Sequence, residues 1–294
     1  MADAGRVPPG GVMPSPLAGA CSFLFVPASR PERYARALAS GAHGVIVDLE
    51  DALTPGEKVT ARQQLVQAFA TLDAVQRGRT LVRINAEGST WHAEDVAAVA
   101  DLAWQGLGGL MLPKAESAEV LARLAAAVGP ACPLVPLIES VAGLDAVDAL
   151  AGSSQVLRLA FGHLDFQVDA GLACDAQEAE LVPVRLALVL ASRRAGLAAP
   201  IDGVTVDTQD AVRLQSDAAR ARRGGFGAKL CIHPTQVAAV NATFMPTPSE
   251  LDWARRVLAG FAAADGGVFT LDGRMVDLPV MLLARRTVAQ AGAQ

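Results

Sequence analysis

The chain has 294 residues, 52% hydrophobic, 19% charged and 4% aromatic, with a formal net charge of −5. That length supports one large domain, or two modest ones, with a sizeable core. A mildly acidic chain with few aromatic rings and no basic block argues against nucleic-acid binding, and no run is long and apolar enough to span a membrane.

Four scattered cysteines, Cys21, Cys132, Cys174 and Cys231, show no CxxC spacing and read as reduced residues of a cytoplasmic protein. Residues 1–20 are rich in Gly and Pro. They have neither the apolar core of a signal peptide nor an Arg-rich amphipathic pattern, and read as a disordered leader.

From Ser22 onward, strand-like and helical runs alternate. A first strand at 23–26 is closed by Pro27, and a helix at 31–39 is ended by Gly41. A second strand at 45–47 leads into Asp48-Leu49-Glu50-Asp51 and a helix carrying Lys58 and Arg62. The third strand, 80–84, contains Arg83 and precedes a helix at 92–105. The fourth, 109–112, runs into Pro113-Lys114 and a helix at 117–127. The fifth, 134–138, stops at Glu139, a helix spans 142–151, and the sixth, 156–161, is followed by Gly162 and Asp165. A long helix at 181–195, a seventh strand at 201–206, a helix at 210–223 and an eighth strand at 228–232 complete the series, ending in His233-Pro234.

Short apolar strands, each followed by a helix, describe a parallel sheet covered on both sides. Eight such units in about 210 residues predict a (β/α)8 TIM barrel. Neither a dinucleotide fingerprint nor a P-loop is present. The barrel is expected over 21–245. Residues 246–294 then form a helical extension: a helix at 249–264, a Gly-rich link, a strand at 268–271, a turn at Asp272-Gly273 and a last helix at 279–291. This extension reads as a lid or an oligomer arm.

Nearly every predicted strand ends in an ionisable residue: Asp48 and Glu50, Arg83, Lys114, Glu139, Asp165, Asp207 and His233. In a barrel these converge on the carboxyl-end mouth, where chemistry is done. Glu139 and Asp165 close neighbouring strands. Two acids there repel unless a cation lies between them, and a hard ion such as Mg2+ suits their oxygens. The other reading is that Glu139 caps a helix and Asp165 sits in an ordinary loop. Asp207 also fits a turn, Lys114 a pairing with a nearby acid, and His43 a local hydrogen bond.

Eight segments carry a resemblance: FLFVPASRPERYARAL, GVIVDLEDALTPGEKVTAR, LVRINA, LMLPKAES, LIESVAG, LAFGHLDF, GFGAKLCIHPTQV and DGRMVDLP. In this order the chain resembles the citrate lyase β-subunit family of CoA-ester lyases, within the wider HpcH/HpaI aldolase group. The resemblance implies a TIM barrel, trimeric or built from trimers, that binds Mg2+ and cleaves 3-hydroxyacyl-CoA thioesters. It implies Glu139 and Asp165 as metal ligands, Arg83 as the substrate-binding arginine, and Asp277 as a catalytic acid/base on a lid, from the same or a neighbouring subunit. Glu50 and Asp51 are expected near the metal, Glu50 as a catalytic group. Arg30, Arg33 and Lys114 are candidates for binding the CoA phosphates, with Arg30 and Lys114 taken as substrate-binding.

The chain departs from the family pattern at Arg36, His163, Phe166 and Ala228, and after Asp210. These departures leave the acyl group open among citryl, malyl and citramalyl thioesters. Alternatives are a metal-dependent aldolase acting on free hydroxy-keto acids, and a subunit that depends on a larger lyase complex.

Overall fold

The computed structural model describes residues 15–292. Eight parallel strands close a barrel in sequence order: β1 (Ser22–Pro27), β2 (Gly44–Asp48), β3 (Thr80–Arg83), β4 (Gly109–Leu112), β5 (Leu134–Ile138), β6 (Ala160–Phe161), β7 (Ile201–Asp202) and β8 (Ala228–Cys231). Phe23↔Leu230 and Leu24↔Cys231 lie in the register that joins β1 to β8. Around them run α1 (Tyr34–Ala39), α2 (Lys58–Ala70), α3 (Ala74–Gly78), α4 (His92–Trp104), α5 (Ala118–Val128), α6 (Val141–Asp145), α7 (Val147–Ala151), α8 (His163–Ala170), α9 (Val182–Arg194), α10 (Ala211–Arg223) and α11 (Pro234–Phe244). The chain is the expected (β/α)8 TIM barrel. Among the described residues no helix is long and apolar enough to cross a membrane.

The period-2 alternation of the strands makes two cores. Phe23, Ile46, Leu81, Met111, Val135 and Leu230 fill the barrel interior. Leu24, Val45, Val82, Leu110, Leu134 and Ile138 face the helices. Of the expected leader, residues 1–14 lie outside the described residues. Leu17 and Ala20 are buried and join the interior cluster, so they plug the barrel floor. The guanidinium of Arg158 holds this plug. It donates to the carbonyls of Leu17 (3.1 Å), Ala20 (2.8 Å) and Ala199 (2.5 Å), and stacks 5.3 Å from the ring of Phe23.

Some boundaries differ from the sequence expectation. The sixth strand shrinks to two residues; its start survives only as a bridge between Leu134 and Val156, because the intervening Arg158 turns to the floor. The seventh ends at Asp202 because the Gly203 carbonyl accepts the Lys229 ammonium (2.6 Å) and leaves the ladder. The expected helix at 142–151 is two short helices that meet at Ala146. Asp165 lies in the first turn of α8, an element missing from the sequence reading; Gly171 ends it in the left-handed conformation.

Beyond the barrel lie α12 (Pro248–Ala263), the antiparallel hairpin β9 (Phe269–Leu271) and β10 (Arg274–Val276), and α13 (Leu278–Gly292). Asp272 and Gly273 both have positive φ, as a tight two-residue hairpin turn requires. Ala254, Val257, Val276 and Ala284 form a separate small core. The extension reaches the barrel through Arg222 of α10 with Glu250 (3.0 Å), and Gln290 with the Phe244 carbonyl (3.4 Å).

Candidate active site

The β2–β3 register sets Asp48 beside Arg83, so two strand ends meet side by side. Arg83 donates from Nε to one Asp48 oxygen (2.7 Å) and from Nη2 to the other (2.6 Å), a two-pronged grip. Its Nη1 donates to Asp51 (3.3 Å) and stands 3.0 Å from Glu50 Oε2 without hydrogen-bond alignment. The guanidinium also lies 4.8 Å from the Phe25 ring. Burial opposes its charge, yet Asp48, Glu50 and Asp51 raise its pKa above the ordinary value.

Local backbone bonds shape this loop. Asp48 accepts the N–H groups of Glu50 (2.9 Å) and Ala52 (3.1 Å). The buried ammonium of Lys58 donates to the carbonyls of Leu49 (3.0 Å) and Glu50 (2.9 Å) and to Asn85 Oδ1 (2.5 Å), and lies 5.0 Å from the Trp91 ring. Asn85 in turn donates to Asp95, which pairs with Arg62 (2.7 Å). Lys58 therefore ties α2 to the acidic loop, a role that sequence spacing does not reveal.

Glu139 emerges buried from β5. One oxygen accepts the backbone N–H of Lys114 (2.8 Å), which a left-handed φ of 45° at Lys114 presents. The other oxygen packs on Gly162, where a Cβ would approach to 2.4 Å, so only glycine fits beside this carboxylate. Asp165 follows on the exposed first turn of α8. The start of that helix is fixed by His163, whose ring lies so close to Gly203 that a Cβ there would stand 2.1 Å from Nδ1. His163 Nε2 is 3.7 Å from Glu178, which also pairs with Arg185, Arg213 and Arg220.

These groups enclose a cavity of about 360 Å³ lined by Asp48, Asp51, Arg83, Glu139 and Asp165. Its remaining wall includes Phe25, Leu137, Phe161, Val204, Leu230 and Ile232. Glu50 stands behind Arg83, outside the lining. Lys114 is exposed and also outside it; burial works against its charge, but Glu139, Glu50, Asp165 and Asp51 raise its pKa. Arg30 lies outside the lining and pairs loosely with Glu32 at 3.7 Å. Asp277 does not line the cavity of its own chain. It caps α13, accepting the Val280 N–H (3.2 Å). Asp207 makes a turn by accepting the N–H groups of Gln209 and Asp210. His233 caps α11, and His43 accepts the Cys21 N–H.

Burial pushes Glu50 up to about 8, against the pull of Arg83, and Glu139 up to about 7, against the Lys114 N–H and Arg83. In the metal-free protein both acids bind protons more tightly folded than unfolded. The stability they contribute is full below their ordinary value of 4.5 and is lost as pH rises toward 8. These two acids are therefore expected to lower the metal-free Tm between about pH 5 and 8. His163, held down at about 4 by burial, works the other way up to its ordinary 6.5, and Glu50→Gln is expected to remove part of the fall. Differential scanning calorimetry of parent and variant across that range decides it; a Glu50→Gln Tm that follows pH just as the parent does contradicts the assignment.

Two carboxylates at an open mouth suit a hard divalent ion that keeps water or substrate oxygens in its remaining positions, as Mg2+ does. Among the described residues no group of three or more His, Cys, Asp or Glu side chains is placed to hold a metal ion.

The sequence profile of the HpcH/HpaI aldolase/citrate lyase family matches residues 21–234. A citrate lyase subunit beta-like protein of Mycobacterium tuberculosis is 35% identical over 275 residues, covering 92% of this chain and 95% of its own. A (3S)-malyl-CoA thioesterase of Cereibacter sphaeroides is 31% identical over 282 residues, covering 92% and 94%. The crystal structure of M. tuberculosis CitE in complex with magnesium, acetoacetate and coenzyme A matches with a TM-score of 0.81 at 35% identity, covering 94% of this chain and 100% of that one. With the barrel, the acidic mouth and these matches in agreement, the chain belongs to the HpcH/HpaI aldolase/citrate lyase family of enzymes.

Proposed function

We propose that this enzyme is a Mg2+-dependent carbon–carbon lyase that cleaves a 3-hydroxyacyl-CoA thioester to acetyl-CoA and a 2-keto acid. The observation that carries the reading is the mouth itself: Glu139 locked by Lys114 and Gly162, Asp165 on the next β/α unit, and Arg83 facing the same cavity. Glu139 and Asp165 would hold the ion, which supplies Lewis acidity toward the hydroxyl and carboxylate oxygens of the substrate.

The substrate hydroxyl loses its proton, the bond between the carbinol carbon and the thioester α-carbon breaks, and its electron pair passes into an enolate. The carbinol carbon becomes the keto carbon. Glu50 stands behind Arg83 and outside the lining, so that proton would reach it through a water at the mouth. Arg83 stabilises the charge that grows on the enolate oxygen. Protonation at the enolate carbon then gives acetyl-CoA, and Asp277 is the acid we assign to that step.

Asp277 would reach the mouth of a neighbouring subunit in a homo-oligomer, the trimer that the family resemblance implies. Two features support this. Exposed apolar residues Met275, Leu278, Leu282 and Leu283 surround Asp277 on the extension. Exposed apolar residues also lie on α9 (Val182, Leu186 and Leu190) and on α8 (Leu164 and Val168), and of these Leu164 lines the cavity.

The test is release of acetyl-CoA from citryl-, malyl- and citramalyl-CoA, with Mg2+ and again after chelation. Metal-dependent release from at least one is expected; no release from any of them with Mg2+ present would sink the proposal. Arg83→Lys keeps a charge but loses the planar fork that grips Asp48. It is expected to lower kcat/KM more than about tenfold, roughly 1.4 kcal/mol. Turnover near the parent value would make Arg83 a structural residue.

A further inference from the structure

We infer that the His163 ring limits the length of the group that the substrate carries on its carbinol carbon. The ring is the partition between the substrate cavity and a second cavity, and a small side chain in its place would let a longer chain through. The inference rests on the lyase reading of the mouth and narrows its substrate.

The second cavity, of about 470 Å³, lies beside the first. His163, Leu164 and Val204 line both, so these three side chains are the wall between them. Leu164 is exposed on the first turn of α8, and Val204 is half-buried after β7. Of the three, His163 alone is buried. It is also a position where the chain departs from the family pattern.

The ring is held on several sides. Gly203 packs so closely that a Cβ would stand 2.1 Å from Nδ1. Nε2 faces Glu178 at 3.7 Å, and Arg185 (2.6 Å), Arg220 (2.9 Å) and Arg213 (3.3 Å) fix Glu178 in turn. The Phe161 ring lies 6.2 Å away between centroids. A ring packed among such neighbours moves aside only if they move too.

The order of strands around the barrel decides what meets this wall. Arg83 ends β3, Glu139 follows β5 and Asp165 follows β6. The partition comes next, with His163 after β6 and Val204 after β7. In the lyase reading the thioester end turns to Arg83, and the hydroxyl and carboxylate turn to Glu139 and Asp165. The remaining group on the carbinol carbon then faces β6 and β7, where His163 stands.

Beyond the ring the lining includes Asp175, Asp207, Asp210 and Asp217. These acids repel a tail of their own charge, so an uncharged chain is the proper probe of length. Its path past Leu164 and Val204 is apolar.

The full-length protein with Mg2+ is titrated by calorimetry with pyruvate, 2-oxobutyrate, 2-oxopentanoate and 2-oxohexanoate, as parent and as His163→Ala. In the parent, 2-oxohexanoate is expected to bind at least about tenfold more weakly than the better of pyruvate and 2-oxobutyrate. In His163→Ala that ratio is expected to shrink by about tenfold or more. Glu178 keeps its three arginines in the variant, so no buried charge is orphaned and the barrel is expected to stay folded. Val204→Ala thins the same wall from the β7 side and is expected to move the ratio the same way; it decides the matter if His163→Ala does not fold. Length profiles that match the parent in the folded variants overturn the inference, as does a parent that binds 2-oxohexanoate as tightly as pyruvate. Acetyl-CoA release from citryl-, malyl- and citramalyl-CoA is followed alongside. Release with unchanged length profiles removes the partition alone. If none is cleaved, the lyase reading fails while the keto-acid profiles still decide the partition, and binding of none of the acids overturns both.

Discussion

Glu139→Gln and Asp165→Asn are each expected to weaken Mg2+ binding by about a hundredfold or more, roughly 2.7 kcal/mol, while the barrel stays folded. In Glu139→Gln the amide oxygen still accepts the Lys114 N–H, so the left-handed turn at Lys114 keeps its partner. Asp165 is exposed on the first turn of α8, where Asn removes charge and little else. Hard divalent ions bind oxygen through charge as well as geometry, so a neutral amide of equal size removes affinity without removing shape. Calorimetric titration with Mg2+ beside a thermal melt separates the two effects. Parent-like affinity in both variants would place the ion elsewhere.

The second large effect is expected at Asp277. Its Oδ1 caps α13, and Asn caps almost as well, so Asp277→Asn should melt near the parent temperature. An amide is no acid/base, however, and kcat is expected to drop by about 10²-fold or more while Mg2+ still binds. Exchange of the acetyl-CoA methyl protons with deuterated water should fall in step. Because Asp277 does not line its own cavity, mixing offers a sharper check. When Asp277→Asn and Glu139→Gln chains are dissociated and reassembled together, some mouths combine an intact Glu139 with an intact Asp277 from a neighbour. Activity should then exceed that of either variant alone. No gain on mixing, with mixed oligomers demonstrated, removes the intersubunit role.

The barrel was legible because its strands are short apolar runs that stop at charged residues, and a parallel sheet covered by helices demands that pattern. Glu139, Asp165 and Arg83 stood out for the same reason, each at the end of such a run. What escaped the sequence was set by close approach in space. Gly162 and Gly203 look like ordinary loop glycines, yet one admits the Glu139 carboxylate and the other the His163 ring. Lys58 reads as a helix-surface lysine until its ammonium is found on the carbonyls of Leu49 and Glu50. The eight residues of α8 are too few to establish a helical period, and the glycines at either end suggest a loop. Asp277 could not be placed because a cap and an acid/base ask for the same residue type.

Arg158 also bears on the order in which the chain is made. Its hydrogen bonds join carbonyls 141 and 138 positions before it to one 41 positions after it. The floor plug therefore has no acceptor-satisfied anchor until the segment before β7 has been synthesised. Contacts this far apart in sequence are slow to form, because their loop entropy is lost before the bonds are made. During synthesis, the Leu17 and Ala20 carbonyls lack their Arg158 donor while five strands accumulate, and the barrel seals from below only as its last quarter arrives. A ribosome-held chain that stops short of Ala199 should leave this plug open to protease, and one that extends past β8 should protect it.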